Sequence, residues 1–192
     1  TDSGWPGASW ALTEIGQSLA DEKLIRSELQ RLEQTAECAP QLPLTDMVLG
    51  SAGLITALVD LYCKHRHRFD CSRLLEIAVQ HGDFLLSSAV RRDEGWSWET
   101  LPVPVHHHLT GYAHGVSGIV CSLAELARAT GEDRFATAVE EGLRYEQSQF
   151  SPENGNWRDY RADAAKAGEE AFQFGWCHGA PGIGMARFRL LE

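Results

Sequence analysis

A carboxylate, imidazoles and a thiol stand just ahead of a glycine in three stretches of this chain. Asp46 lies four residues before Gly50, His114 directly precedes Gly115, and Cys177-His178 directly precedes Gly179. A carboxylate near an imidazole can orient it, the imidazole can carry a proton at neutral pH, and a thiolate beside them can bind a soft metal. Each residue also has a plainer reading. An Asp ahead of a helix is commonly its N-cap. A His beside a Gly is as often a hydrogen-bonded structural residue, and a Cys in an apolar stretch is usually a small core side chain. Cys38, Cys63 and Cys121 take that core reading, whereas Cys177, set between Trp176 and His178-Gly179, is the exception.

Other candidates are weaker. His106-His107-His108 resembles a metal cluster, but it lies in a loop with Pro102 and Pro104. Consecutive residues cannot all converge on one ion without an unusual backbone. Trp96, Trp98 and Trp157 could line a peptide groove, though packing is the commoner role of such side chains. No P-loop, dinucleotide fingerprint, HExxH or GxSxG occurs, which removes the commonest nucleotide and hydrolase chemistries.

The elements that position these residues read as helices. Leu12, Ile15, Leu19, Ile25, Leu29 and Leu32 recur at helical spacing, as do Leu54, Leu58, Leu61 and Tyr62. Leu74, Ala78 and Leu85 form a weaker stripe, and Ile119, Leu123, Leu126 and Ala127 a clean one. Phe135, Ala138, Val139, Gly142, Leu143 and Glu146 make nearly another. Thr130-Gly131 marks a helix end, because Gly accepts the left-handed backbone of a C-terminal cap. No run of period-two alternation stands out.

A repeat organises the helices. Gly50-Ser51-Ala52-Gly53-Leu54, Gly115-Val116-Ser117-Gly118-Ile119 and Gly179-Ala180-Pro181-Gly182-Ile183 share one frame, spaced by 65 and then 64 residues. That period fits two helices and two connections. Each frame opens an apolar inner helix, preceded by a more charged outer helix and a long polar connection at 33–45, 91–110 or 151–171. The glycines let the chain turn sharply, and they are expected to bring bare helix N-termini, partly positive, toward one cavity. Hairpins of this kind stack into a solenoid or close into an α/α toroid. The expectation is an all-α fold, residues 1–192 forming a single domain of about three hairpins, part of such a toroid. The last apolar helix is still running at Glu192, which reads as truncation, and Thr1 is not an initiating Met.

Bulk composition narrows the function. The 192 residues are 43% hydrophobic and 23% charged, the balance of a globular protein with a real core. A formal charge of -10 argues against nucleic acid as a partner, because phosphate binding needs clustered Lys and Arg. No apolar run approaches a membrane span, so no membrane partner is expected. Five scattered cysteines fit free thiols in a reducing compartment, and a cytoplasmic location is expected.

The motifs carry a family resemblance. Trp176-Cys177-His178-Gly179-Ala180-Pro181-Gly182-Ile183-Gly184, with Ala186-Arg187 after it, closely resembles the signature of lanthionine synthetase C-like proteins. Gly111-Tyr112-Ala113-His114-Gly115 and Asp46-Met47-Val48-Leu49-Gly50 resemble two further motifs of that family. Tyr145-Glu146, Asn156-Trp157 and Asp159-Tyr160-Arg161 are similar to a stretch of the class II lanthipeptide synthetases. The resemblance implies a toroid of seven hairpins with zinc at one end of its cavity. Zinc there activates a cysteine thiol of a precursor peptide, which adds to dehydroalanine or dehydrobutyrine to close a thioether ring. It implies His114 as the proton-transfer residue, Asp46 as the carboxylate assisting it, Cys177 as the first zinc ligand, and His178 and Arg187 as substrate-binding residues. The remaining zinc ligands are expected beyond Glu192. A dehydratase domain is expected in the parent protein. Gln173 stands where stand-alone cyclases commonly carry Arg, a departure that leaves the acid–base arrangement open. The alternatives are a non-catalytic helical fragment or peptide-binding scaffold, and a glycan-processing α/α barrel, which would need paired carboxylates.

Overall fold

The computed structural model describes residues 4–38, 44–100, 107–161 and 171–191. They form an all-α fold of three helical hairpins and a further inner helix. The hairpins are α1 (Trp5–Ser18) with α2 (Glu22–Cys38), α3 (Ser51–His65) with α4 (Ser72–Ser88), and α5 (Val116–Thr130) with α6 (Asp133–Ser148). The last helix is α7 (Ala180–Leu190). In the inner layer α1, α3, α5 and α7 follow one another as neighbours, while α4 lies between α2 and α6 in the outer layer. The core runs between the layers. Ile25, Leu29 and Leu32 of α2, Leu54, Ile55, Leu58 and Leu61 of α3, Leu74 and Leu85 of α4, and Ile119, Leu123 and Leu126 of α5 are all buried in it. These are the predicted stripes of α2 to α5, and each fully buried Leu or Ile contributes about 1.5–3 kcal/mol of transfer free energy.

The expected stripe on α1 fails. Ile15 is 49% exposed and Leu19 70% exposed, and α1 buries Ser9, Thr13 and Gly16 instead. Close approach decides this: a Cβ at Gly16 would come 2.9 Å from Ile25 Cγ1. Only the small-residue face lets α1 come that near α2. Thr13 donates to the Ser9 carbonyl at 2.8 Å, and Ser9 Oγ donates to the buried Glu28 carboxylate at 3.1 Å, so the polar atoms on that face are satisfied.

Two short antiparallel pairs interrupt the helices. They are β1 (Val90–Arg92) with β2 (Gly95–Ser97), and β3 (Phe150–Ser151) with β4 (Asn156–Trp157). Strands of two or three residues are too brief to leave an alternation signal, and the second and third polar connections contain them. The first connection starts later than predicted, since α2 runs to Cys38. Gly131, with φ +73°, ends α5 as expected, its N–H bonding the Ala127 carbonyl. Among the described cysteines Cys71 and Cys121 are buried free thiols, but Cys63 is exposed on α3, contrary to its core reading. Burial raises the Cys71 and Cys121 thiols to about 11.

Candidate functional site

Three equivalent loops lead into α3, α5 and α7, and they lie side by side. The Met47 N–H donates to the Ala113 carbonyl at 3.2 Å, and the Ala113 N–H donates to the Cys177 carbonyl at 3.2 Å. This backbone ladder fixes the register of the loops. It sets His114 beside Asp46 and His178 beside His114.

The glycine frame exists because each loop folds back onto its own helix. A Cβ at Gly53, Gly118 or Gly182 would collide with the carbonyl oxygen of Met47, Tyr112 or Trp176, six residues earlier in each case. The same fold-back removes the bare helix ends expected from the sequence. In α3 the Ser51 and Ala52 N–H groups bond the Leu44 and Thr45 carbonyls. In α5 the Val116 and Ser117 N–H groups bond the Leu109 and Thr110 carbonyls. At α7 the Asn156 carboxamide oxygen accepts the Ala180 N–H at 2.7 Å. With these donors engaged, the charge at the site comes from side chains rather than from open helix N-termini.

Asp46 is fully buried and divides its two oxygens. Oδ1 accepts the Val48 N–H at 3.1 Å and the Leu49 N–H at 2.6 Å, closing the turn before Gly50. It therefore caps the loop and not the helix, whose N-cap is Gly50. Oδ2 lies 2.7 Å from His114 Nδ1. An ionised carboxylate only accepts, so this contact assigns the proton to Nδ1 and leaves Nε2 as the acceptor. The His114 side chain is 24% exposed against 0% for Asp46, so the imidazole reaches solvent while the carboxylate does not. Thr100 Oγ1 donates to the His114 carbonyl at 2.8 Å, and Thr45 Oγ1 donates to the Glu99 carbonyl at 3.0 Å. The segment after β2 thus clamps two of the three loops.

His178, at the place in its repeat that His114 holds, is buried and stacks on the His114 ring with centroids 5.9 Å apart. Burial lowers its imidazole pKa, and the nearby charge of Arg161 lowers it further, so the ring stays neutral at physiological pH. It borders a small cleft, with room for about one water molecule, that Leu109, Thr110, Trp157, Asp159 and Gln173 also line. Burial pushes the Asp159 carboxyl up, but hydrogen bonds and charge from Arg161 outweigh this and hold it below the usual range.

The other candidates separate. Cys177 is a half-buried free thiol on the same loop as His178. Arg187 is engaged elsewhere: its Nε and Nη2 donate to Glu146 Oε1 at 2.8 and 2.6 Å, and its guanidinium lies 5.3 Å from the Trp157 ring centre. Glu146 also accepts from Ser117 Oγ, and its backbone carbonyl accepts the Trp157 indole N–H at 2.8 Å. Arg187 and Glu146 therefore tie α7, α6 and the start of α5 together. Sequence reasoning missed this tie, as well as the roles of Thr100 and Asn156, because each joins residues that periodicity does not relate. His108 bonds Ser97 and His107 stacks on Tyr160 at 4.8 Å, so those two rings serve separate contacts. His106 lies outside the described residues.

Zinc requires about four ligands in a structural site and three plus an open position in a catalytic one. Among the described residues no group of three His, Cys, Asp or Glu could hold a metal ion. Cys177 is one soft donor, and the described residues do not make a zinc centre by themselves. No helix among them is long and apolar enough to cross a membrane.

The described residues thus form a two-layer α-hairpin fold with an Asp–His pair and a Cys-His-Gly loop at the inner-helix starts. The family model of the lanthionine synthetase C-like proteins matches residues 3–192, and the chain belongs to that family. Its membership is consistent with a lanthionine synthetase-type cyclase acting on a peptide, and the family is generally zinc-binding. The curated proteins searched include no match to the chain.

Proposed function

We propose that this chain is part of a class II-type lanthipeptide cyclase domain, its hairpins forming an arc of an α/α toroid. Its reaction adds a cysteine thiol of a precursor peptide to a dehydroalanine or dehydrobutyrine of the same peptide. The observation that carries this reading is the Asp46–His114 pair, a proton-transfer device whose working nitrogen is set by a buried carboxylate.

In the reaction the sulfur forms a bond to Cβ, the Cα=Cβ π bond breaks, and its electron pair moves to the carbonyl oxygen as an enolate. His114 Nε2 takes up the thiol proton and returns a proton to Cα, so the carbonyl re-forms and no net proton is consumed. Asp46 stabilises the imidazolium between those two transfers and keeps Nδ1 protonated throughout. His178, neutral and stacked on His114, packs the ring and can hydrogen-bond a peptide group. Cys177 would give one thiolate to a zinc ion whose other ligands lie outside the described residues. Bound zinc lowers the pKa of a coordinated thiol and makes it nucleophilic at neutral pH. Arg187 acts on the site through Glu146, and its part in substrate binding is indirect. A dehydratase domain in the parent protein would supply the dehydro residues.

The test is ring closure in a dehydrated, Cys-containing precursor peptide. Closure leaves the mass unchanged, so it is read by alkylating the remaining thiols and counting adducts by mass spectrometry. Loss of alkylable thiol with the protein present supports the cyclase. A peptide that binds but keeps every thiol supports a scaffold instead.

A further inference from the structure

The loops at the inner-helix starts repeat one geometry, and the repeat places a residue beside His114 that no motif marks. The Ser51 and Ala52 N–H groups bond the Leu44 and Thr45 carbonyls as those of Val116 and Ser117 bond Leu109 and Thr110. A Cβ at Gly50 would meet the Leu44 carbonyl oxygen at 2.5 Å, and one at Gly115 would meet the Leu109 carbonyl oxygen at 2.6 Å. The fold-back onto Gly53, Gly118 and Gly182 is common to all three loops. Leu49, His114 and His178 each directly precede the first glycine of their frame. They therefore hold one position in three neighbouring loops, in the order that the Met47, Ala113 and Cys177 backbone ladder sets.

His178 covers one side of the His114 ring, and the repeat puts Leu49 on the other. A second observation agrees. The Leu49 N–H and His114 Nδ1 are held by the two oxygens of one carboxylate, Asp46 Oδ1 at 2.6 Å and Oδ2 at 2.7 Å. The backbone of Leu49 is thus fixed by the group that also orients the imidazole. The two flanks differ in kind. His178 is buried, whereas Leu49 is 39% exposed and its neighbour Val48 46% exposed. The turn uses only the backbone N–H groups of Val48 and Leu49, which any residue but proline supplies. Single exposed aliphatics are common on protein surfaces, and what distinguishes Leu49 is its place beside the residue that carries the proton.

We propose that Leu49 is a specificity-determining residue, its side chain packing against the β-methyl group of a dehydrobutyrine placed at His114. This rests on the cyclase reading above. Dehydrobutyrine differs from dehydroalanine by one methyl group on Cβ, the atom next to the Cα that His114 protonates. An aliphatic wall beside His114 takes that methyl out of water and gains nothing comparable from the bare CH2 of dehydroalanine. The gain enters kcat/KM for one acceptor and not for the other, which is how a contact of this kind discriminates.

The experiment is ring closure on two dehydrated precursor peptides, identical except for dehydroalanine or dehydrobutyrine at one ring position. Wild type is compared with Leu49→Ser, Leu49→Ile and Leu19→Ser, each checked for an unchanged melting temperature. Leu19, 70% exposed at the end of α1, is the control for removing an apolar surface side chain. The quantity read is the ratio of kcat/KM for the dehydrobutyrine peptide to that for the dehydroalanine peptide, since the intrinsic reactivities of the two acceptors cancel between variants. Leu49→Ser should lower this ratio about fourfold, the scale of one buried methyl group, with closure on dehydroalanine changed less than about twofold. Leu49→Ile should keep the ratio, and Leu19→Ser should leave the ratio and both rates unchanged. A wild-type ratio in Leu49→Ser overturns this inference and leaves the cyclase reading standing. So does an equal fall on both peptides, which would make Leu49 a support of His114 and not a contact of the methyl group. A wild type that closes neither ring overturns both readings. Should Leu49→Ser melt early, Leu49→Ala decides, and an unchanged ratio there overturns the proposal.

Discussion

Replacing Asp46 by Asn isolates the proton relay from the fold around it. Asp46 now serves two masters with two equivalent oxygens: the turn amides of Val48 and Leu49 on Oδ1, and His114 Nδ1 at 2.7 Å on Oδ2. Asn has one oxygen and one NH2 group. Keeping the turn requires the oxygen to face the two amides, which points NH2 at His114. A donor facing Nδ1–H is repulsive, so the ring must take the other tautomer, with its proton on the nitrogen that should accept. The imidazolium also loses its counter-charge, worth about 4 kcal/mol at 4 Å with an effective dielectric of 20, and less for a ring 24% exposed. Both losses fall on the reaction, not on folding. Asp46→Asn should close rings about 10³-fold more slowly, roughly 4 kcal/mol in barrier. Its stability should change by less than about 1.5 kcal/mol, since the turn hydrogen bonds survive. Asp46→Ala should lose both, costing about 1–2 kcal/mol more in stability. The assay is the rate of thiol loss by alkylation and mass spectrometry, with urea unfolding beside it and nitrogen chemical shifts of His114 to read the tautomer. An Asp46→Asn variant within about tenfold of wild type, with the ring still protonated on Nδ1, would refute the reasoning.

Other expectations follow from the same contacts. Arg187→Ala strips Glu146 of its charge partner and should destabilise the chain by about 2–4 kcal/mol in denaturant unfolding; Arg187→Ala together with Glu146→Leu should cost less than the single change. His65 is 1% exposed with both ring nitrogens lacking a hydrogen-bond partner among the described residues, and burial lowers its pKa from the ordinary 6.5. The unfolded chain therefore binds protons more readily, and stability should fall as pH drops from about 7 through 6.5 toward the depressed folded value. His65→Leu should raise stability at neutral pH by about 1 kcal/mol and flatten that slope in urea titrations at several pH values. An unchanged slope would show that the other imidazoles whose pKa desolvation lowers, half-buried His81 and His108 and buried His178, carry it.

The sequence made the hairpins legible because apolar spacing and the glycine frame are both local signals. Leu58, Ile119 and Leu85 went where the 3.6-residue period put them. Ile15 and Leu19 did not, since Gly16 and Ser9 admit a closer helix approach than leucines allow. The site was legible as a set of positions, not as a geometry. Asp46, His114 and His178 could be placed just ahead of the repeated glycines, but the loop ladder through Ala113 and the closing of the helix ends by loop carbonyls depend on backbone fold-back. Arg187 illustrates the limit. Its motif marked it, yet its partner Glu146 lies 41 residues away on another helix, where only tertiary packing brings them together.

The central claim is that His114 moves the proton that accompanies thioether formation. Its most direct test is the ring-closure rate of His114→Gln against wild type on one dehydrated peptide, with equal melting temperatures and equal peptide affinity established first. A loss of about 10²- to 10⁴-fold in rate with binding retained is what the Asp46–His114 geometry predicts. Closure by His114→Gln at the wild-type rate would contradict it.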